Sequence, residues 1–261
     1  MKLSSANINV MVNACRKAAK VIIRDFGEIE NLQVSLKGPG DFVTASDKKV
    51  ETILIEELQK ARPNYSILSE EIGKITNDDS FKWIIDPIDG TANFLHGIPH
   101  FAISIGLECN NEIICGIIYD PIKDEMFTAE KGNGSYLNNQ RMRVSSRSKL
   151  KDCIVFTGGP KFNSKDKDLI LSEYNNFSSK VLIPIRKLGS ASLDMAYVAA
   201  GRCDGFWQRN LNYWDIAAGI ILVKEAGGFV TDFIGENQYI QNKTILVTNS
   251  NINKEMIEVL K

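Results

Sequence analysis

One nine-residue stretch restricts the folds open to this chain more than any other: Trp83-Ile84-Ile85-Asp86-Pro87-Ile88-Asp89-Gly90-Thr91. Trp, Ile and Ile in succession read as a buried strand. Pro87 breaks it, because proline has no N–H to give to a ladder. Asp86 and Asp89 therefore stand three residues apart across a strand end, and residues 92–95 read as the start of a short helix. Carboxylates at a strand end are oxygen ligands for a hard cation. The N–H groups of Gly90 and Thr91 at a helix start suit a phosphate. One turn can thus serve both a metal and a phosphate, the pairing that metal-assisted phosphoryl chemistry uses. The plain alternative is a strand stop with solvated aspartates, since Asp-Pro and Asp-Gly are ordinary turn pairs.

The rest of the chain supplies a setting for that turn. Residues 4–26 place Ile8, Met11, Val12, Cys15, Ala18, Ala19, Ile22 and Ile23 at helical spacing, with Arg16, Lys17, Lys20 and Arg24 opposite and Gly27 as the stop. Such a helix packs on a core far more often than on a membrane. Residues 37–40 read as a turn and 41–45 as an extended piece. Ser46 reads as the N-cap of a helix reaching Ala61, with Asp47 in the first turn, where it complements the helix dipole. Residues 65–68 form a strand that delivers Glu70 and Glu71 at its end. Clustered carboxylates repel unless a cation joins them. Strands follow at 101–107 and 113–119 around an Asn110-Asn111 turn, then near 126–128 and 135–137.

From about Arg143 the pattern changes to alternating strand and helix. Strands are expected at 154–156, 181–183, 205–207 and 244–247. Helices open at Gly189-Ser190-Ala191, at Trp214-Asp215 and near Asn251, and residues 161–168 read as a solvated loop. The reading is thus an α+β domain over residues 1–142 and an α/β domain over 143–261. His96 and His100 have zinc-pair spacing on a helix, but Gly97 and Pro99 between them break the helix, so no zinc site is expected.

A net charge of −1 gives no field that favours nucleic acid or an anionic membrane. The apolar run at 216–223 is too short to span a bilayer. Five scattered cysteines, without redox or zinc spacing, read as reduced thiols of a cytoplasmic protein.

Asp86-Pro87-Ile88-Asp89-Gly90-Thr91 resembles the signature of the inositol monophosphatase family of Mg²⁺-dependent, lithium-sensitive phosphatases. A second signature matches Trp214-Asp215-Ile216-Ala217-Ala218-Gly219, running to Glu225-Ala226-Gly227-Gly228, and Glu70-Glu71 is a third match. The resemblance runs from about Lys37 to the C-terminus. It implies a layered αβαβα sandwich, with most metal ligands in the first domain and Asp215 and the substrate contacts in the second. By resemblance, Glu70, Asp86 and the carbonyl of Ile88 hold a first Mg²⁺, and Asp86, Asp89 and Asp215 a second, with two or three ions per site. Four acids with few histidines or thiols nearby suit Mg²⁺ rather than zinc.

The implied catalytic residues are Thr91 and Asp47, which orient and deprotonate a water, together with Glu70. The implied substrate contacts are Gly90, Thr91, Gly189, Ser190, Ala191, Gln208 and Asp215. At Gln208 the chain departs from the family, which commonly has a glutamate there that touches sugar hydroxyls; this puts inositol specificity in question. Ala92 is a second, minor departure. The expected activity is hydrolysis of a small phosphate monoester, foremost myo-inositol 1-phosphate. Fructose 1,6-bisphosphate, histidinol phosphate and 3′-phosphoadenosine phosphates are alternative substrates. A non-enzymatic partner of transcription or RNA-processing machinery is the alternative in another class, without support from the charge. The family is typically homodimeric.

Overall fold

Helical spacing of the apolar residues near the N-terminus produces the expected helix, and it covers one face of a large sheet. The computed structural model describes residues 5–28, 34–38, 41–159 and 164–260. Helix α1 (Ala6–Phe26) is capped by Ser5, whose hydroxyl accepts from the Ile8 N–H at 3.3 Å. It buries Met11, Cys15, Ala18 and Ile22 and packs against α2 (Ala45–Ala61), which buries Val50, Leu54 and Leu58. A short ribbon of β1 (Val34–Gly38) and β2 (Asp41–Thr44) lies between them in sequence. Residues 39 and 40 of the expected turn lie outside the described residues, as do residue 160 and residues 161–163 of the expected loop.

The first half of the chain supplies an eight-stranded sheet. Its strands are β3 (Tyr65–Ser69), β4 (Gly73–Ile75), β5 (Asp78–Asp89), β6 (Ala102–Cys109), β7 (Glu112–Asp120), β8 (Glu125–Glu130), β9 (Gly134–Leu137) and β10 (Gln140–Arg141). They lie in the order β10-β9-β8-β7-β6-β5-β3-β4, and only β3 and β5 run parallel. The Asn110-Asn111 turn has φ of 49° and 64°, the left-handed pair that a tight hairpin needs. Asn138-Asn139 repeats it with 46° and 67°, closing a β9–β10 hairpin that the sequence reading left out.

The second half adds α4 (Lys167–Ser178), α5 (Ala191–Ala199), α6 (Tyr213–Glu225) and α7 (Asn253–Leu260). It also forms a four-stranded sheet of β11 (Val155–Thr157), β12 (Gly205–Arg209), β13 (Phe229–Thr231) and β14 (Thr244–Thr248), in the order β11-β12-β14-β13. Three apolar clusters fix the layers. Ile67, Trp83, Ile85, Ile105 and Ile117 on one face of the large sheet meet α1 and α2. Ile84, Ile118 and Phe127 on its other face meet α5 and α6, which in turn meet Phe206, Val230 and Val247 of the small sheet. The far face of the small sheet, with Trp207 and Leu246, packs on Phe177 and Met256 from α4 and α7. The molecule is the αβαβα sandwich. A helix between two sheets must be apolar nearly all round, and α6 is, from Ile216 to Val223.

Two expectations need correcting. Residues 181–183 form no strand: Leu182 is 76% exposed, and the small sheet gains only a single bridge there, between Phe156 and Arg186. Pro184 has no N–H to extend that pairing. Ser46 is not a cap but the second residue of α2, fully buried, and its hydroxyl donates to Asp25 Oδ2 at 2.7 Å. Among the described residues no helix is long and apolar enough to cross a membrane, and the five cysteines are free.

Candidate active site

Pro87 does not end strand β5; it sits in a bulge. Asp86 pairs with Ser104 and Asp89 with Ala102, so three steps along β5 answer two along β6. Side chains alternate faces along a strand, so residues three apart would normally point to opposite sides. The extra residue restores the phase. Ala102 and the Ser104 hydroxyl face α5 and α6, and Asp86 and Asp89 therefore face that way together. The Ile88 N–H donates to Asp86 Oδ1 at 3.0 Å inside the bulge. Gly90 follows with φ of 97°, and an ideal Cβ there would lie 3.2 Å from both the His100 carbonyl oxygen and Phe101 Cβ. Left-handed backbone and close packing both call for glycine at this position. Helix α3 (Thr91–Leu95) starts immediately after it.

This bulge forms one wall of a cavity of about 270 Å³ lined by Glu70, Asp86, Ile88, Asp89, Gly90, Thr91, Ala92, Gly158, Gly159, Gly189, Ser190, Ala191, Asp194, Gln208, Leu211, Asn212 and Asp215. The structure thus gathers every site residue expected from the sequence except Asp47. Asp47 lies one layer behind, 1% exposed, with its Oδ1 3.4 Å from Thr91 Oγ1. The same hydroxyl is 3.0 Å from the Ile88 carbonyl oxygen. The dipole reading of Asp47 and its place behind Thr91 are compatible, because the first turn of α2 abuts the bulge.

Asp89 is held from the opposite wall. Its Oδ2 accepts from Ser190 Oγ at 2.6 Å, Ser192 N–H at 2.7 Å and Ser192 Oγ at 2.5 Å. Ser190 also caps α5, accepting from the Leu193 N–H. Asp215, in the first turn of α6, accepts from the Asn212 N–H at 2.7 Å, one half of a capping box. Helix α6 reaches the site because it lies flat on the large sheet. An ideal Cβ on Gly116 would stand 2.4 Å from Ile221 Cγ2 and 2.7 Å from the Ala218 carbonyl oxygen. Tyr213, at the head of α6, donates to Glu108 Oε2 at 2.6 Å, and the Ser104 hydroxyl lies 3.4 Å from the Trp214 carbonyl oxygen.

Electrostatics set the character of the cavity. Burial pushes the Asp86 carboxyl well above the usual range, and Glu70, Asp89, Asp215 and Asp47 push it further. Burial also raises Asp89, while the hydrogen bonds from Ser190 and Ser192 pull it back. Buried Asp194, behind Asp89, is raised by burial and then by Asp89. The lining offers carboxylate and carbonyl oxygens but no imidazole or thiol, a donor set that fits a hard cation. Among the described residues no three acidic, His or Cys side chains converge as a ready-made cage. Asp86, Asp89 and Asp215 instead accept from the protein donors just named. His96 is exposed and His100 stacks edge-on against Tyr197 at 5.7 Å. Burial, then Lys123, pushes the His100 imidazole down to about 4.

Gln208 borders the cavity half-buried, packed so closely on Gly158 that a Cβ there would be 2.2 Å from its Cδ. Sequence reasoning missed Ser192, Asp194, Asn212 and the Gly158-Gly159 wall. Asn212 three residues before Asp215 is a capping signature that was there to be read; the others depend on the tertiary fold.

Known proteins are similar to this chain in sequence and fold. The model of the inositol monophosphatase family matches residues 5–260. An inositol-1-monophosphatase of Mesorhizobium japonicum is 49% identical over 258 residues, covering 98% of this chain and 97% of that protein. The Nus factor SuhB of Escherichia coli K12 is 40% identical over 254 residues, covering 96% and 94%. The crystal structure of the extragenic suppressor protein suhB from Bartonella henselae superposes with a TM-score of 0.95 at 50% identity, covering 98% of this chain and 99% of that one.

Proposed function

Since this chain belongs to the inositol monophosphatase family, we propose that it hydrolyses small phosphate monoesters with Mg²⁺ in the cavity between the β5 bulge and the starts of α5 and α6, with myo-inositol 1-phosphate the foremost substrate. The observation that carries this reading is the Asp86 carboxyl, buried and pressed by four neighbouring acids in a cavity that offers carboxylate and carbonyl oxygens but no imidazole or thiol. Such a cluster is costly without a cation.

Glu70, Asp86, Asp89, Asp215 and the Ile88 carbonyl are the residues that would hold the metal. Bound there, Mg²⁺ supplies charge neutralisation for the phosphate dianion, acidification of water and stabilisation of the leaving alkoxide. The chain's own groups do the rest. Thr91 Oγ1, backed by Asp47, accepts a hydrogen bond from the attacking water and aligns it with the phosphorus. The N–H groups of Gly90 and Thr91, and those at the start of α5, hold phosphate oxygens. Gln208 and the Gly158-Gly159 wall face the alcohol. A volume of about 270 Å³ is just under the range of about 300 to 1,000 Å³ of typical ligand cavities, which suits a small phosphate ester.

A substrate panel tests the reading. Phosphate release from myo-inositol 1-phosphate, fructose 1,6-bisphosphate, histidinol phosphate and 3′-phosphoadenosine 5′-phosphate, each with Mg²⁺ and with chelator, is expected to be highest for the inositol ester and abolished by chelator. Release by none of the four would sink it. Inhibition by Li⁺ and a homodimer in the cytoplasm belong to the same proposal. A relative named as a Nus factor favours a second reading, in which the chain also contacts transcription machinery; the net charge of −1 lends nucleic-acid contact no support.

A further inference from the structure

The two walls of the cavity come from distant parts of the chain, and an uncharged side chain ties them together. Asn93, in α3, donates through Nδ2 to the His100 carbonyl oxygen at 2.7 Å and to the Leu188 carbonyl oxygen at 2.7 Å. Both acceptors are carbonyls, so only the amide nitrogen fits there, and both of its hydrogens are used. Gly189 lies against this amide: its φ is +92°, and an ideal Cβ would sit 2.8 Å from Asn93 Nδ2. Four residues before Asn93, Asp89 grips the same segment through Ser190 and Ser192. Segment 188–192 is therefore held at its start by Asn93 and at its end by Asp89.

The two ties differ in kind. The Asp89 tie uses a carboxylate with a proposed part in metal binding, so a change there would disturb the metal as well. The Asn93 tie is neutral and made to backbone. We infer that Asn93 is a positioning residue, which fixes the spacing between the Gly90-Thr91 wall and the Gly189–Ala191 wall and thereby sets the affinity of the cavity for phosphate. This rests on the phosphatase reading. A phosphate held from both walls at once loses contacts when either wall shifts, and misplacement by about 1 Å weakens such sites severely.

The test uses the full chain with Mg²⁺ present. For wild type, Asn93→Ala and Asn93→Asp it measures the Kd of inorganic phosphate by calorimetry, and KM and kcat for myo-inositol 1-phosphate. Asn93→Ala should raise the phosphate Kd and the KM together by about tenfold, leaving the Mg²⁺ concentration for half-activation unchanged. Asn93→Asp, which faces two carbonyls with acceptors, should raise them further. If Asn93→Ala does not fold, Asn93→Ser, with one donor kept, should show a smaller rise of the same kind. Unchanged Kd and KM, or a loss confined to kcat and Tm, would overturn the inference. A wild type that neither binds phosphate nor releases it from esters would instead remove the functional reading beneath it.

Discussion

Asp89 and Ser190 stand 101 positions apart in the chain, and Asp89 Oδ2 and Ser190 Oγ are 2.6 Å apart. With the Ser192 N–H and hydroxyl on the same oxygen, this contact joins the β5 bulge to the head of α5. Burial disfavours the charged form of Asp89, and these donors favour it. They also aim the carboxylate.

Ser192→Ala removes one of these donors and keeps the backbone N–H. Partners that orient a metal ligand are worth about 10- to 100-fold in metal affinity or activity. The expected result is a Mg²⁺ concentration for half-activation raised by about tenfold, with the overall fold kept by circular dichroism. Wild-type Mg²⁺ dependence would mean that Ser192 serves only the start of α5.

The position of Asp215 depends on how closely α6 lies on the large sheet, and Gly116 sets that distance. Gly116→Ala brings a methyl within 2.7 Å of the Ala218 carbonyl oxygen, which cannot swing aside as a side-chain tip could. Overpacking of this kind costs about 1–3 kcal/mol. Thermal unfolding should show a clear fall in Tm, with the residual activity lowered. A Tm equal to that of wild type would show that α6 can lift off the sheet freely.

Gln208 packs against Gly158 at the cavity wall. A carboxylate there accepts hydrogen bonds from a polyol, and such charge-assisted bonds are about twice as strong as neutral ones. Gln208→Glu should shift kcat/KM toward myo-inositol 1-phosphate over glycerol 2-phosphate by up to about tenfold, the worth of about 1.4 kcal/mol. The added charge should also weaken phosphate binding slightly. An unchanged ratio would mean that Gln208 does not read the alcohol.

The candidate site was legible where it is compact in sequence. Asp86, Asp89, Gly90 and Thr91 share one turn, so residue type and spacing suffice to group them, and the structure puts all four on one cavity wall. The bulge was not legible: Pro87 reads as a strand stop, yet the ladder resumes at Asp89 opposite Ala102, and only the partner strand supplies that fact. Asp215 came from the resemblance, since nothing local says that α6 lies over the bulge. Ser192 and Asn93 were invisible for the same reason, because their partners lie about a hundred residues away. Residues 181–183 show the opposite failure. Their apolar run reads as a strand, but a strand needs a neighbour along its length, and here Phe156 reaches only Arg186. The N-terminal helix was read as packing on a core, while the resemblance was read only from about Lys37. The helix nevertheless belongs to the sandwich, because α1 closes its outer layer over the large sheet.

Phosphate release from myo-inositol 1-phosphate, by protein stripped with chelator and then given Mg²⁺ back, tests the carboxylate cavity most directly when wild type and Asp89→Asn are compared. Stripped wild type should be inactive and regain full turnover with Mg²⁺. Asp89→Asn keeps the shape but loses a charged ligand, and turnover should stay down by about a thousandfold, or about 4 kcal/mol of barrier, with the fold intact by near-ultraviolet circular dichroism. Activity in wild type that survives the chelator, or near-normal turnover in Asp89→Asn with Mg²⁺, would contradict the assignment.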